Sequence, residues 1–158
     1  MDPYSTIGID SLHALSLGVF QNFVAPLVAA MVWVDNCWGI RGGAAARMAG
    51  SVGRMSQELF VWYGVEARMG RNHTRVQTLT AKMFGKEGKP KAKLHGAETN
   101  GLLEFSVSLI ARHSGRLTDH ERWRTAAVDL VRLKNLLKEH TGRWPAPAIQ
   151  DQAVASGF

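Results

Sequence analysis

Four side chains carry most of the chemistry this sequence offers: Asp10, His13, Glu98 and Glu104. Asp10 and His13 stand three apart at the start of a helical pattern, so they share one end of a helix. Glu98 and Glu104 lie one and two turns into a later helical pattern. Carboxylates gathered from separate elements can hold Mg²⁺, a hard cation that takes one or two of them together with substrate phosphate oxygens and supports phosphodiester cleavage. The plainer role of Asp10 is a helix N-cap ahead of an apolar run. The plainer role of His13 is a satisfied polar residue at a core edge. Other chemistries lack their residues. The chain has no His-Glu-x-x-His motif, no Cys/His cluster and no Gly-x-Ser-x-Gly elbow. The Gly-rich piece around Gly42 and Gly43 has no Gly-Lys-Ser/Thr ending and follows no strand, so it is not a phosphate loop.

A second kind of chemistry is concentrated in one segment. Between residues 68 and 95 there are eight basic residues, Arg68, Arg71, Arg75, Lys82, Lys86, Lys89, Lys91 and Lys93, against one acid, Glu87. That exceeds the net charge of the whole chain, +6, so the rest of the sequence is close to neutral. The sequence Gly85 to Pro90, GKEGKP, reads as a loop able to present these cations to solvent. Such a cluster suits phosphate contacts with DNA or another polyanion, without sequence preference. A solvated loop is the simpler alternative.

These residues need elements to position them. Residues 9–34 form the longest apolar stretch, with Leu12, Leu15, Val19, Phe23 and Leu27 on one helical face and Leu17, Phe20 and Val24 on its flank. Pro26 is expected to kink or split that helix. A turn belongs near residues 35–43, rich in Asn and Gly. Residues 44–69 are helical, with Met48, Val52, Met55, Leu59 and Trp62 inward. A short helix is expected over residues 75–84 and a longer one over 93–113. The latter places Leu102, Phe105 and Leu109 in the core. Thr118 to Glu121 matches a capping box, opening a last helix to about His140 with Leu130 and Leu133 inward. Gly142 ends it, and Trp144 to Pro147 cannot continue it. The expected fold is mostly α, a single irregular bundle of about five helices with no complete sheet. Residues 1–142 form the domain and 143–158 a loose C-terminal tail.

A chain of 158 residues is long enough for one domain with a real core. The single Cys37 allows no intramolecular disulfide, sits among apolar neighbours, and fits an intracellular, reducing setting. The Asn72-His73-Thr74 sequon is discounted because Asp2 and Asp10 stand where a signal peptide needs positive charge. A membrane span needs about 20 apolar residues. The unbroken apolar part here runs only over residues 23–34, so membrane association through residues 9–34 is the weakest reading.

The stretch Asp10-Ser-Leu-His13, followed by Leu-Ser-Leu-Gly-Val and a long apolar helix, is similar to the Asp-x-x-His stretch of eukaryotic cut-and-paste DNA transposases with a ribonuclease-H-like catalytic domain, especially the plant-type Tnp2-like group. Residues 79–84, Leu-Thr-Ala-Lys-Met-Phe, and 93–98, Lys-Leu-His-Gly-Ala-Glu, also resemble the downstream part of such proteins. The resemblance covers about residues 7–112 and implies that Glu98 stands where the last catalytic acid is carried, with Asp10 and His13 as vestigial partners. The core of that family also needs acids on strands upstream of the Asp-x-x-His stretch, and only nine residues precede Asp10. The resemblance therefore implies a transposase-derived fragment that keeps a DNA-facing surface without autonomous cleavage. It implies no cofactor, Mg²⁺ entering only with a complete catalytic core. A DNA partner would place the protein in the nucleus. The alternative is a helical protein-interaction or scaffold module with no nucleic-acid role.

Overall fold

The computed structural model describes residues 15–139. The chain begins there with a continuous helical rod. Its middle is α-helix α1 (Gln21–Ala29), flanked by wider π-type turns over Leu15–Phe20 and Ala30–Val34. Pro26 sits inside α1 without splitting it. The proline lacks an N–H, which leaves the Asn22 carbonyl without its usual donor, and both residues face solvent, where water can replace that bond. The buried face is Phe20, Val24, Leu27, Val28, Met31 and Val32. Val19, expected inward, is 43% exposed, and Phe23 is only half buried. Leu27 of the expected face and Phe20 and Val24 of its flank together make the core face. A rod apolar nearly all round allows either choice, and its neighbours decide. Phe20 packs with Leu103 and Leu130 from the two later helices, so the rod turns toward them. Leu12 and the side chain of Leu15 lie outside the described residues.

The turn after the rod is built as its residue types require. Asn36 adopts φ +44°, which Asn tolerates better than most residues. Its side chain accepts from the Ile40 N–H at 2.9 Å and donates to the Ile40 carbonyl at 3.1 Å. Cys37 is buried here, and burial pushes its thiol up to about 11. Helix α2 (Ala44–Arg68) follows, with Met48, Val52, Met55, Leu59 and Trp62 buried as the spacing requires. Gly50 allows the Ile40 side chain to lie against the helix, since a Cβ there would come within 2.8 Å of Ile40 Cγ2.

Residues 75–84 do not form the expected short helix. Only Ala81–Met83 makes a single tight 3₁₀ turn, and Val76 is buried in an irregular segment. The GKEGKP loop is a tight antiparallel hairpin, β1 (Gly85–Lys86) with β2 (Lys89–Pro90). Helix α3 (Gly96–Arg112) and helix α4 (His120–Glu139) complete the described residues. Leu102, Phe105, Leu109 and Leu130 are buried as expected, whereas Leu133 is half buried. The Thr118 capping box does not form. The Thr118 hydroxyl instead donates to Asp35 Oδ1 at 2.6 Å and its N–H to Asp35 Oδ2 at 3.1 Å, tying the first turn to the last helix. Helix α4 begins two residues later. The fold is mostly helical, with four α-helices and a two-stranded ribbon among the described residues, one helix fewer than the periodicity suggests. No described helix is long and apolar enough to cross a membrane.

Candidate nucleic-acid interface and the ion cluster beneath it

The basic segment starts where α2 ends. Val76, Phe84, Ala92 and Leu94 are buried in the shared core, so the segment is fastened to the body at intervals. Ahead of those anchors Arg68 and Arg75, and between them Lys82, Lys86, Lys89, Lys91 and Lys93, are all exposed. None of these seven makes an ion pair among the described residues. Arg71 does, with Glu66. The hairpin register sets Lys86 directly opposite Lys89. Like charges facing across a strand pair repel, and a bound anion relieves that repulsion. The geometry depends on two glycines. Gly88 takes φ +74° in the turn. Gly85 takes φ +82°, and a Cβ there would meet the Lys89 carbonyl oxygen at 2.5 Å.

At the root of the segment lies a cluster of charged side chains contributed by four parts of the chain. Glu66 on α2 accepts two bonds from Arg71, from Nε at 2.6 Å and Nη2 at 2.6 Å. The Arg71 guanidinium, against the opposing effect of burial and with help from His73, holds the Glu66 carboxyl down at about 2. His73 lies between two carboxylates, Nε2 at 3.0 Å from Glu66 Oε2 and Nδ1 at 3.3 Å from Glu104 Oε2 on α3. Trp62 covers the ring at 4.6 Å between centroids. Glu104 also contacts the ammonium of Lys134, a buried lysine on α4. Burial and the neighbouring Lys138 lower the Lys134 ammonium to about 8. Tyr63 completes the anchorage. Its hydroxyl accepts the Val76 N–H at 3.0 Å, and its ring lies under the Arg75 guanidinium at 5.7 Å.

Glu66, His73 and Glu104 offer three ligand atoms within 4.8 Å of one another, enough in number for a metal ion. The orientation does not suit one. Each ring nitrogen faces a different carboxylate, whereas a metal uses one nitrogen of the ring. Arg71 and Lys134 already balance the two carboxylates. The arrangement is therefore an ionic fastening that joins α2, α3, α4 and the root of the basic segment.

Glu98 occupies the first turn of α3, where its carboxylate accepts the His95 N–H at 3.0 Å. In the described structure it acts as a cap. Asp10 and His13 lie outside the described residues, as does the 143–158 tail. The fastening residues Glu66 and Lys134 escaped the motif search because neither has a motif. One signal did exist. Glu66 takes the next inward position after Leu59 and Trp62, and Lys134 the next after Ala127 and Leu130. A charge in an apolar stripe calls for a buried partner. Comparison of the chain with protein-family models, curated proteins and solved structures finds no match.

Proposed function

We propose that this protein binds the phosphate backbone of nucleic acid without sequence preference, through the basic segment spanning residues 68–93. The observation that carries the proposal is the hairpin. It holds Lys86 and Lys89 face to face, exposed and unpaired with any acid among the described residues, beside exposed Lys82, Lys91 and Lys93. Lysine meets phosphate as a point charge and reads no base edge, so affinity without specificity is expected. The fastening at Glu66, His73 and Glu104 keeps the segment on the body, which limits the ordering that binding demands. The kinship with transposases remains the proposed origin of this surface. The reading is one of binding rather than cleavage. In the described structure Glu98 is engaged as a cap.

The test is a salt titration of duplex DNA binding. Each phosphate contact contributes about −0.9 to the slope of log affinity against log salt. Changing Lys86, Lys89, Lys91 and Lys93 to Gln should weaken binding to any duplex and flatten the slope, with helical content unchanged. A control removing the same number of exposed charges elsewhere, at Arg41, Arg122, Arg124 and Arg132, should leave most of the slope. Equal losses from both sets would mean that only net charge matters. No binding by the intact chain at low salt would sink the proposal.

A further inference from the structure

We infer that the outer face of α2 is a docking site for an acidic amphipathic helix of another protein. Helix α2 buries one side, and its opposite side carries large apolar side chains among polar ones. Phe60, Val61 and Val65 are 54%, 60% and 39% exposed, and Met69 at the helix end is 60% exposed. These are four of the six large exposed hydrophobic side chains among the described residues, and three of them, Val61, Val65 and Met69, lie along one line. Val61, Val65 and Met69 follow at intervals of four and so share a face, while Phe60 stands about 100° round the helix from Val61. Isolated exposed apolar residues need no explanation, whereas a contiguous group on one helix marks an interaction surface.

The charges on this stripe identify the occupant. Arg54 and Arg68 bracket it, seven residues before and after Val61, and both are exposed without an ion pair among the described residues. At 1.5 Å per residue they stand roughly 21 Å apart along the axis. The helix carries two acids, Glu58 and Glu66, and neither is available. Glu58 accepts from Trp38 Nε1 at 2.8 Å and contacts His113 at 3.1 Å, and Glu66 holds Arg71 and His73. A second copy of this chain is therefore a poor fit. Antiparallel pairing centred on Val61 sets Arg54 against Arg68 at both ends, and parallel pairing in register sets each Arg against itself. A lipid surface also fits poorly. Arg54 and Arg68 lie close to the line of Val61 rather than on the polar side, so inserting the valine would drag both guanidinium groups inward. A helix with an apolar strip and two acids about four turns apart satisfies both features.

The experiment uses a fluorescently labelled helical peptide with a Leu/Ile strip and two Glu fourteen residues apart, and a twin with Lys replacing both Glu. The intact chain should bind the Glu peptide at least tenfold more tightly than its twin. Val61→Asp should abolish binding while circular dichroism stays unchanged, because the side chain faces solvent. Arg54→Glu with Arg68→Glu should reverse the preference toward the Lys peptide. That reversal needs both charge positions to be correct, and loss of folding cannot mimic it. Binding of neither peptide, or equal binding of both, would overturn the inference. So would a dimer in sedimentation equilibrium that Val61→Asp dissociates, or sedimentation with phosphatidylserine vesicles that Val61→Asp prevents. None of these outcomes bears on the hairpin lysines, so this inference and the nucleic-acid proposal fail separately.

Discussion

Glu66 shows how one residue can organise a surface that it never reaches. It is buried on α2, and the basic segment begins by folding back onto it through Arg71 and His73. Its carboxyl is held at about 2, below the ordinary 4.5, first by the Arg71 hydrogen bonds. A carboxylate depressed in the folded state contributes stability above its unfolded value and loses it as pH falls through the folded one. The contribution of Glu66 is therefore complete above about pH 4.5 and fades toward pH 2. Glu66→Gln should lower the thermal midpoint at pH 6, and the gap from the wild type should narrow as pH drops to 2. A gap of the same size at both pH values would show that the ionic fastening is not what Glu66 supplies. From sequence alone, Glu66 was one more position in an amphipathic helix. Its meaning depends on Arg71, His73 and, through His73, a helix that begins thirty residues later.

At the scale of elements, the rod over residues 15–34 carries the clearest lesson. Its hydrophobic spacing announces a helix, and a helix is there. Which side faces the core cannot be read from a segment apolar on most sides. The structure buries Phe20 at 1% exposure and leaves Val19 at 43%. Phe20→Ala should accordingly destabilise the protein by about 3–5 kcal/mol, in the range for buried aromatic truncation. Val19→Ala should stay within about 0.5 kcal/mol, as for surface changes. Chemical denaturation of the two variants checks this, and comparable losses would restore the face suggested by spacing alone. The hairpin is a similar case. Gly and Pro in GKEGKP mark a turn, but the pairing of Lys86 with Lys89 depends on how Phe84 and Leu94 are anchored on either side.

For the molecule as a whole, the two proposed surfaces meet only at Arg68, the last residue of α2, and use different forces. The hairpin lysines act through long-range charge, which salt screens. The α2 stripe acts mainly through apolar contact, which salt weakens little. Raising ionic strength should therefore release duplex DNA well before it releases the acidic helix. Lys86→Gln with Lys89→Gln should leave peptide affinity unchanged, and Val61→Asp should leave DNA affinity unchanged. Parallel titrations of both ligands on the same preparations test this. If either variant impaired both, the surfaces would be one site.

What the sequence determined by itself is the set of properties that local physics controls. Apolar spacing specified the long helices, including the inward stripe of α2 from Met48 to Trp62. Composition specified a buried thiol at Cys37 and a concentrated basic excess between residues 68 and 95. Tertiary structure decided everything that needed a distant partner. Thr118 serves Asp35, eighty-three residues away, rather than the helix it precedes. The segment over residues 75–84 forgoes a helix, with Val76 held by the Tyr63 hydroxyl and buried in the core. Glu66, His73, Glu104 and Lys134 become a fastening only when three helices and a loop converge. A periodic pattern reports that a side must be covered, and only the folded chain shows what covers it. On α2 that same test exposes the side that nothing in the described structure covers.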